Sequence, residues 1–173
     1  FLQDINPAGG RESTAVVSRF SSKKQNQDMD FPVSTKLLDE GDIVCILANS
    51  FKKDIRDSSY PSAELITERM NGINLSTELQ QNSVTLDRVL EMENYLDKHV
   101  FDKESRERFS EVWKYLNENV EYLAKSERKK LFSLFWNDLS DFSSLFTVLS
   151  DELNSVEDVE HLNLEISALI PRD

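Results

Sequence analysis

The sequence predicts an all-α protein, an antiparallel helical bundle of five to six helices preceded by an irregular N-terminal arm. Three observations point there. Glycine occurs only at Gly9, Gly10, Gly41 and Gly72, proline only at Pro7, Pro32, Pro61 and Pro171, so residues 73–170 contain neither. Chains that turn often draw on those two residues, and a long stretch without them reads as consecutive helices. Apolar side chains then recur at three-and-four spacing along most of that stretch, which is the period of a helix with one buried face. Finally, Ser, Thr and Asp stand where several of these periodic segments begin, as N-caps should. A length of 173 residues with 39% hydrophobic and 30% charged residues fits one soluble globular domain, long enough to bury a core.

Residues 1–33 read as a flexible or extended arm, because Pro7, Gly9 and Gly10 interrupt any helix and 21–30 is polar. Within it, 13–20 forms a short apolar island carrying Val16, Val17 and Phe20. Residues 34–173 read as the bundle. The first helix is expected from Thr35 or Asp39 to about Asp57, on Leu38, Ile43, Val44, Ile46, Leu47, Phe51 and Ile55. A strand through 43–47 competes, since a continuous apolar run fits either. A second, short helix follows Pro61, with Ser62 as N-cap, Gly72 as its stop, and Leu65, Ile66 and Met70 inward. A third is expected over 77–99, on Leu79, Leu86, Val89, Leu90, Leu96 and Val100.

Asp102 is placed to cap a fourth helix to about Ala124, whose seam of Phe109, Val112, Trp113, Leu116, Val120 and Leu123 is spaced 3, 1, 3, 4, 3. Ser126 reads as the cap of a fifth, with Phe132, Phe135, Leu139, Phe142, Phe146, Leu149 and Leu153 spaced 3, 4, 3, 4, 3, 4. The two seams differ in direction by roughly a quarter turn at about 100° per residue, which favours a break near 125–127 over one kinked helix. The fifth segment also carries Leu131, Leu134, Trp136, Leu145 and Val148. A helix apolar nearly all round is usually central, so Phe142→Ala is expected to cost about 3–5 kcal/mol. Ser155 with Asp158 resembles a capping box opening a sixth helix on Val159, Leu162, Ile166 and Leu169, closed by Pro171.

Chemistry is sparse. The formal net charge is −12, and the acids and bases of residues 1–35 cancel, so the excess lies in the body. An acidic body repels phosphate backbones and speaks against nucleic acid. No run reaches the roughly 18 apolar residues of a membrane span. The lone Cys45 sits in an apolar run, where a buried, inert thiol is expected. It permits no disulfide within one copy, which fits an intracellular, cytoplasmic setting, with secretion without disulfides as the alternative. The sequence opens on Phe1 rather than Met, and reads as a piece whose role depends on residues elsewhere.

His99 and His161 are the two histidines. Asp158 and His161 have the spacing of one arm of a carboxylate-bridged dimetal site, but Leu96 stands where a second arm at His99 needs an acid. Neither a metal nor a cofactor is therefore expected. There is no Gly-x-Ser-x-Gly, P-loop or Gly-x-Gly-x-x-Gly, and the catalytic templates that depend on them are missing. A helical enzyme in which His99, His161 or Cys45 converges with acids in one cleft is the competing reading.

The leading reading is a non-enzymatic protein-interaction module: a scaffold, regulatory or assembly domain of a larger protein or complex, of a kind suited to trafficking or secretion. Its partners would be proteins held in a helical groove or by the arm. The candidate contacts are Val16, Val17 and Phe20 of the island, then Tyr115, Tyr122 and Trp136 as aromatic anchors if exposed. The basic cluster Lys125, Arg128, Lys129 and Lys130, which interrupts the acidic body, completes the set. A structural piece packed against the rest of its own chain is the third reading.

Overall fold

A computed structural model describes residues 30–55, 59–80, 84–155, 161–165 and 167. The fold is mainly α: the described residues form six α-helices and a two-stranded sheet. They divide into two compact units, one holding the strands and the other the helices.

In the smaller unit, β1 (Val33–Lys36) pairs antiparallel with β2 (His161–Leu164), Val33 opposite Leu164 and Lys36 opposite His161. The Thr35 hydroxyl donates to the Leu162 carbonyl at 3.0 Å. Val33, Thr35, Leu162 and Leu164 are half-buried while Ser34, Lys36 and Asn163 are exposed, the two-residue alternation of a strand with one covered face. This corrects two expectations. Thr35 lies in a strand rather than at a helix start, and the sixth helix gives way to β2 around Leu162. Leu162 fits a helical period with Val159 and Ile166 and a period of two with Leu164, and pairing with β1 decides between them. Ser155 ends the preceding helix instead of capping a new one, and 156–160 lies outside the described residues.

In the helical unit, α1 (Glu40–Asp54) opens on a full capping box. The Asp39 carboxylate accepts from the Asp42 amide at 2.7 Å, and the Asp42 carboxylate accepts from the Asp39 amide at 3.1 Å. Each satisfies an amide that the first turn leaves without a partner. The helix, not the competing strand, holds 43–47, and it buries Ile43, Val44, Leu47, Ala48 and Phe51. α2 (Ala63–Asn71) is capped by Ser62 and stops at Gly72 as expected, with Ile66 inward but Leu65 exposed.

α3 (Leu86–His99) begins at the Thr85 cap rather than at 77. The chain before it is extended instead. Ser76 and Gln80 donate their amides to the carbonyls of Tyr122 and Glu121 at 2.9 and 2.8 Å, and Leu75 bridges Leu123. Leu79, assigned to the inner seam, is 63% exposed. α4 (Lys103–Asn119) is capped by Asp102, which accepts from the Ser105 amide and hydroxyl. It buries Phe109, Val112, Trp113 and Leu116 and passes into a single 3-10 turn at Val120–Tyr122.

The expected fifth helix is two helices. α5 (Lys125–Phe132) starts after Ala124 without a side-chain cap, runs into a 3-10 turn at Ser133–Trp136, and reverses before α6 (Ser140–Ser155). Asn137 and Asp138 stand at φ 51° and 54°, a left-handed conformation that Asn and Asp tolerate better than other side chains. Asp138 is held there by Arg69, at 2.7 Å, and by the Ser133 hydroxyl, at 2.6 Å. The break lets Leu131, Phe132, Leu134, Phe135 and Trp136 all be buried, which consecutive residues on one straight helix cannot do against a one-sided core. Within the helical unit α1 packs on α3, α6 and the 3-10 turn at Ser133–Trp136, α3 on α4, and α2 on α4.

Burial would raise the Asp138 carboxyl, but the hydrogen bonds and charge from Arg69 and Ser133 outweigh it and hold the group below the usual carboxylate range. A folded-state value below the unfolded one stabilises at neutral pH, and that contribution is lost as pH falls through the folded value. Because both side chains are partly exposed, 28% for Arg69 and 38% for Asp138, the expected size is no more than about 1 kcal/mol. Asp138→Asn should therefore lower the denaturant midpoint at pH 6, with the gap to wild type closing toward pH 3. A gap constant over that range would remove Asp138 from the acid limb.

Candidate interaction surfaces

The basic cluster that looked like a surface contact is largely spent inside the fold. Arg128 is 3% exposed and grips Glu40 of α1 with two hydrogen bonds, at 2.9 and 2.8 Å. Lys125 pairs with Asp151 of α6 at 2.6 Å, Lys129 donates to the Thr147 hydroxyl, and Lys130 pairs with Glu127 at 2.7 Å. Burial works against the Glu127 charge, yet Lys130 and the Asn74 amide hold its carboxyl below the usual range. Lys125, Arg128 and Lys129 thus fasten α5 to α1 and α6, while Lys130 pairs within α5. Arg128 is no surface contact, because its guanidinium is needed to compensate a shielded carboxylate.

Of the aromatic candidates, Trp136 does not meet the condition of exposure. It is fully buried and its indole N–H donates to the Ser143 hydroxyl at 2.9 Å. Tyr115 is half-buried against the core, whereas Tyr122 is exposed beside the extended 73–80 segment. Val16, Val17 and Phe20 lie outside the described residues. His99 packs against the ring of Tyr95 at the end of α3. His161 opens β2 rather than lying on a helix, and Asp158, the other half of the dimetal spacing, lies outside the described residues.

Two surfaces that the sequence reading did not single out carry exposed apolar residues. The first is a groove between α1 and α3, with a cavity volume of about 240 Å³, lined by Leu38, Asp42, Cys45, Ile46, Arg88, Glu91 and Tyr95. Arg88 closes one side, bound to Asp39 at 2.8 Å, to Glu91 at 2.9 Å, and to Asp42. Burial would weaken the Arg88 charge, but these carboxylates more than reverse that and lock the guanidinium in its charged form. Gly41 lets α3 come this close, since a Cβ there would stand 2.7 Å from Arg88 Nε and 2.9 Å from Met92 Sδ.

Cys45 looks into this groove, yet its chemistry is damped. Burial, with Asp42 and Asp39 adding to it against the pull of Arg88, pushes the thiol up to about 12. Only the thiolate reacts, so alkylation by iodoacetamide at pH 8 should be about a hundredfold or more slower in the folded protein than in urea. Comparable rates in the two states would show an activated thiol.

The second surface is the outward side of α6. Leu145, Val148 and Leu149 are 48%, 58% and 39% exposed, although the sequence seam placed Leu149 inward. Phe146 and Ser150 face the core instead, with Phe142 and Leu153 half-buried beside them. The seam read through 132–153 still brings Phe142, Phe146 and Leu153 to the core, and fails at Leu139 and Leu149, which are 36% and 39% exposed.

Among the described residues no helix is long and apolar enough to cross a membrane, and no group of three or more His, Cys, Asp or Glu side chains is arranged to hold a metal ion. Comparison with curated proteins and with solved structures finds no match. A family model, however, matches residues 1–173, the whole of the sequence given, and on that match the chain belongs to the family described as "Putative bacterial virulence factor".

Proposed function

We propose that the chain is a non-enzymatic protein-interaction domain, a scaffold, regulatory or assembly element acting within a larger protein or complex. The observation that carries this is the outward side of α6, where three exposed aliphatic side chains stand on a helix whose other side is fixed in the core. Exposed large apolar residues in one group mark places where another surface is expected. Family membership is compatible with such a role without specifying it.

The enzyme reading has less support. Cys45, the one thiol, is held in its unreactive form, and Arg88 is committed to three carboxylates of its own chain. With a net charge of −12, the partner proposed is a protein rather than a nucleic acid. A single free cysteine suits a cytoplasmic setting.

The test is cross-linking in living cells with the full chain as bait, read by mass spectrometry and by the stoichiometry of the purified complex. A saturable partner recovered near one-to-one is the expected result. A chain that recovers only abundant background proteins across growth conditions would overturn the reading.

A further inference from the structure

We propose that α6 is a hinged arm: latched closed in the structure, it swings out at Asn137 and Asp138 and continues α5 as one helix with a single heptad seam. The hinge is a property of this chain alone and stands apart from the interaction reading above.

The sequence pattern runs across the turn without interruption. Phe132, Phe135, Leu139, Phe142, Phe146, Leu149 and Leu153 alternate steps of three and four, the a and d pattern of successive heptads on one straight helix. Asn137 and Asp138 fall off that seam, at f and g, and no Gly or Pro stands near them to stop a helix. The folded hairpin leaves two members of the seam, Leu139 and Leu149, partly in water.

The turn is held by side chains rather than by a helix breaker. Asn137 and Asp138 are consecutive residues in the left-handed region, a conformation that costs L side chains energy relative to the right-handed helix. Arg69 of α2 grips both Asp138 oxygens, at 3.1 and 2.7 Å, and also bonds the Lys130 carbonyl and the Ser133 hydroxyl. Further along, Lys125 meets Asp151 and Lys129 meets Thr147. Both pairs are centred on residue 138, so α5 and α6 lie antiparallel with the strained residues at the fold. Polar, partly exposed contacts of this kind are weakened by salt or a competing charge.

Opening takes little out of the core. Leu131, Phe132, Leu134, Phe135 and Trp136 are all buried before the hinge. Beyond it, Phe146 is the one fully buried apolar side chain among the described residues of α6, with Phe142 and Leu153 half-buried. The swing breaks the ring contacts of Phe146 with Trp136 and Phe132, at 5.6 and 6.1 Å, and leaves the aromatic cluster around Phe135 in place. In return it relaxes two strained residues and adds helical hydrogen bonds at the former turn. The closed form is the stable one, and the open form is a sub-global state of lower cost than unfolding.

The test uses the full chain. Nitroxide labels at Ser126→Cys and Val148→Cys, both exposed positions, are placed in a Cys45→Ala background. In the closed hairpin they should lie within about 20 Å, because packed helices are about 8–10 Å apart. On one continuous helix they would be about 33 Å apart, at about 1.5 Å per residue. Pulsed electron resonance should give the short distance for the labelled chain. Asn137→Ala with Asp138→Ala penalises the left-handed turn, removes the latch and favours helix, and should add a sharp second population at the long distance. Hydrogen exchange reads the same opening without labels. Amides of 142–153 should exchange together, at least about tenfold faster than those of 109–116 in α4. Arg69→Gln should speed α6 alone by about fivefold, as loss of a partly exposed ion pair would. Asn137→Gly, which suits the left-handed turn and disfavours the helix, should slow it by about threefold.

A broad long-distance population would mean that α6 melts instead of continuing α5, and would overturn the hinge. So would a double-alanine variant that keeps the short distance alone, or α6 amides that exchange no faster than those of α4. Should the double-alanine variant lose its cooperative melt, Arg69→Gln decides by exchange: no acceleration confined to α6 overturns the inference.

Discussion

Replacing Phe135 with Ala should destabilise the helical unit by about 3–5 kcal/mol, the usual range for truncating a fully buried aromatic ring. Phe135 is 0% exposed and sits where the aromatic core converges. Its ring stacks on Trp113 at 4.8 Å, meets Phe109 edge-on at 5.1 Å, and lies 5.9 Å from Phe101 and 6.4 Å from Phe132. These partners come from α4, from the link before it and from α5, so backbone movement in one element cannot close the cavity. Both the transfer term and the cavity term should appear in full. Phe142 makes the contrast. It is only half-buried, with one ring contact to Phe51 at 6.1 Å, and Phe142→Ala should cost about 1–2 kcal/mol because part of that ring is already in water. Urea denaturation of the two variants measures the difference. If Phe142→Ala proved the costlier of the two, the centre of the core would lie on α6 and not at the 3-10 turn.

That contrast shows what was legible in the sequence and what was not. Asp39, Ser62 and Asp102 were each readable as caps, because an N-cap interacts with amides two or three residues away and needs no distant partner. Gly72 was readable as a stop for the same local reason. The seam that runs through α4 and the 3-10 turn after it to Leu123 was also plain, since its six apolar positions keep one phase and all six are buried. Failures came where a distant group decides. Thr35 and Leu162 stand 127 residues apart in sequence, and nothing local to Leu162 announces a strand that β1 will pair. The reversal at Asn137 and Asp138 depends on Arg69 from α2, so 3-4 spacing ran on through a break it could not register. Leu145 and Val148 were visible as apolar residues beyond the seam, whereas Leu149 was assigned to the seam and proves exposed.

Arg128→Ala is expected to be nearly as damaging as loss of the central ring, at about 3–5 kcal/mol, for an electrostatic reason. Glu40 is 13% exposed and Arg128 3%, and Arg128 Nη1 also donates to the Leu123 carbonyl at 2.8 Å. Removing the guanidinium leaves a shielded carboxylate and a carbonyl deprived of that donor, and an uncompensated buried charge costs far more than the intact pair contributes. The ion pair itself need not stabilise, since both charges were taken out of water to form it. Arg128→Met together with Glu40→Met should therefore recover most of the loss, because apolar side chains of similar length refill the space with no charge left behind. A double-mutant cycle in urea reads both effects, and the expected coupling is large and of the sign that makes the double variant better than the sum of the singles. Additive losses would mean that each side chain acts through packing alone. A cost for Arg128→Ala within about 0.5 kcal/mol, the range of ordinary surface changes, would mean that water reaches Glu40 and that Lys125, Arg128, Lys129 and Lys130 belong on the surface as a basic patch. The interaction site would then have to be sought on α5 as well as on α6.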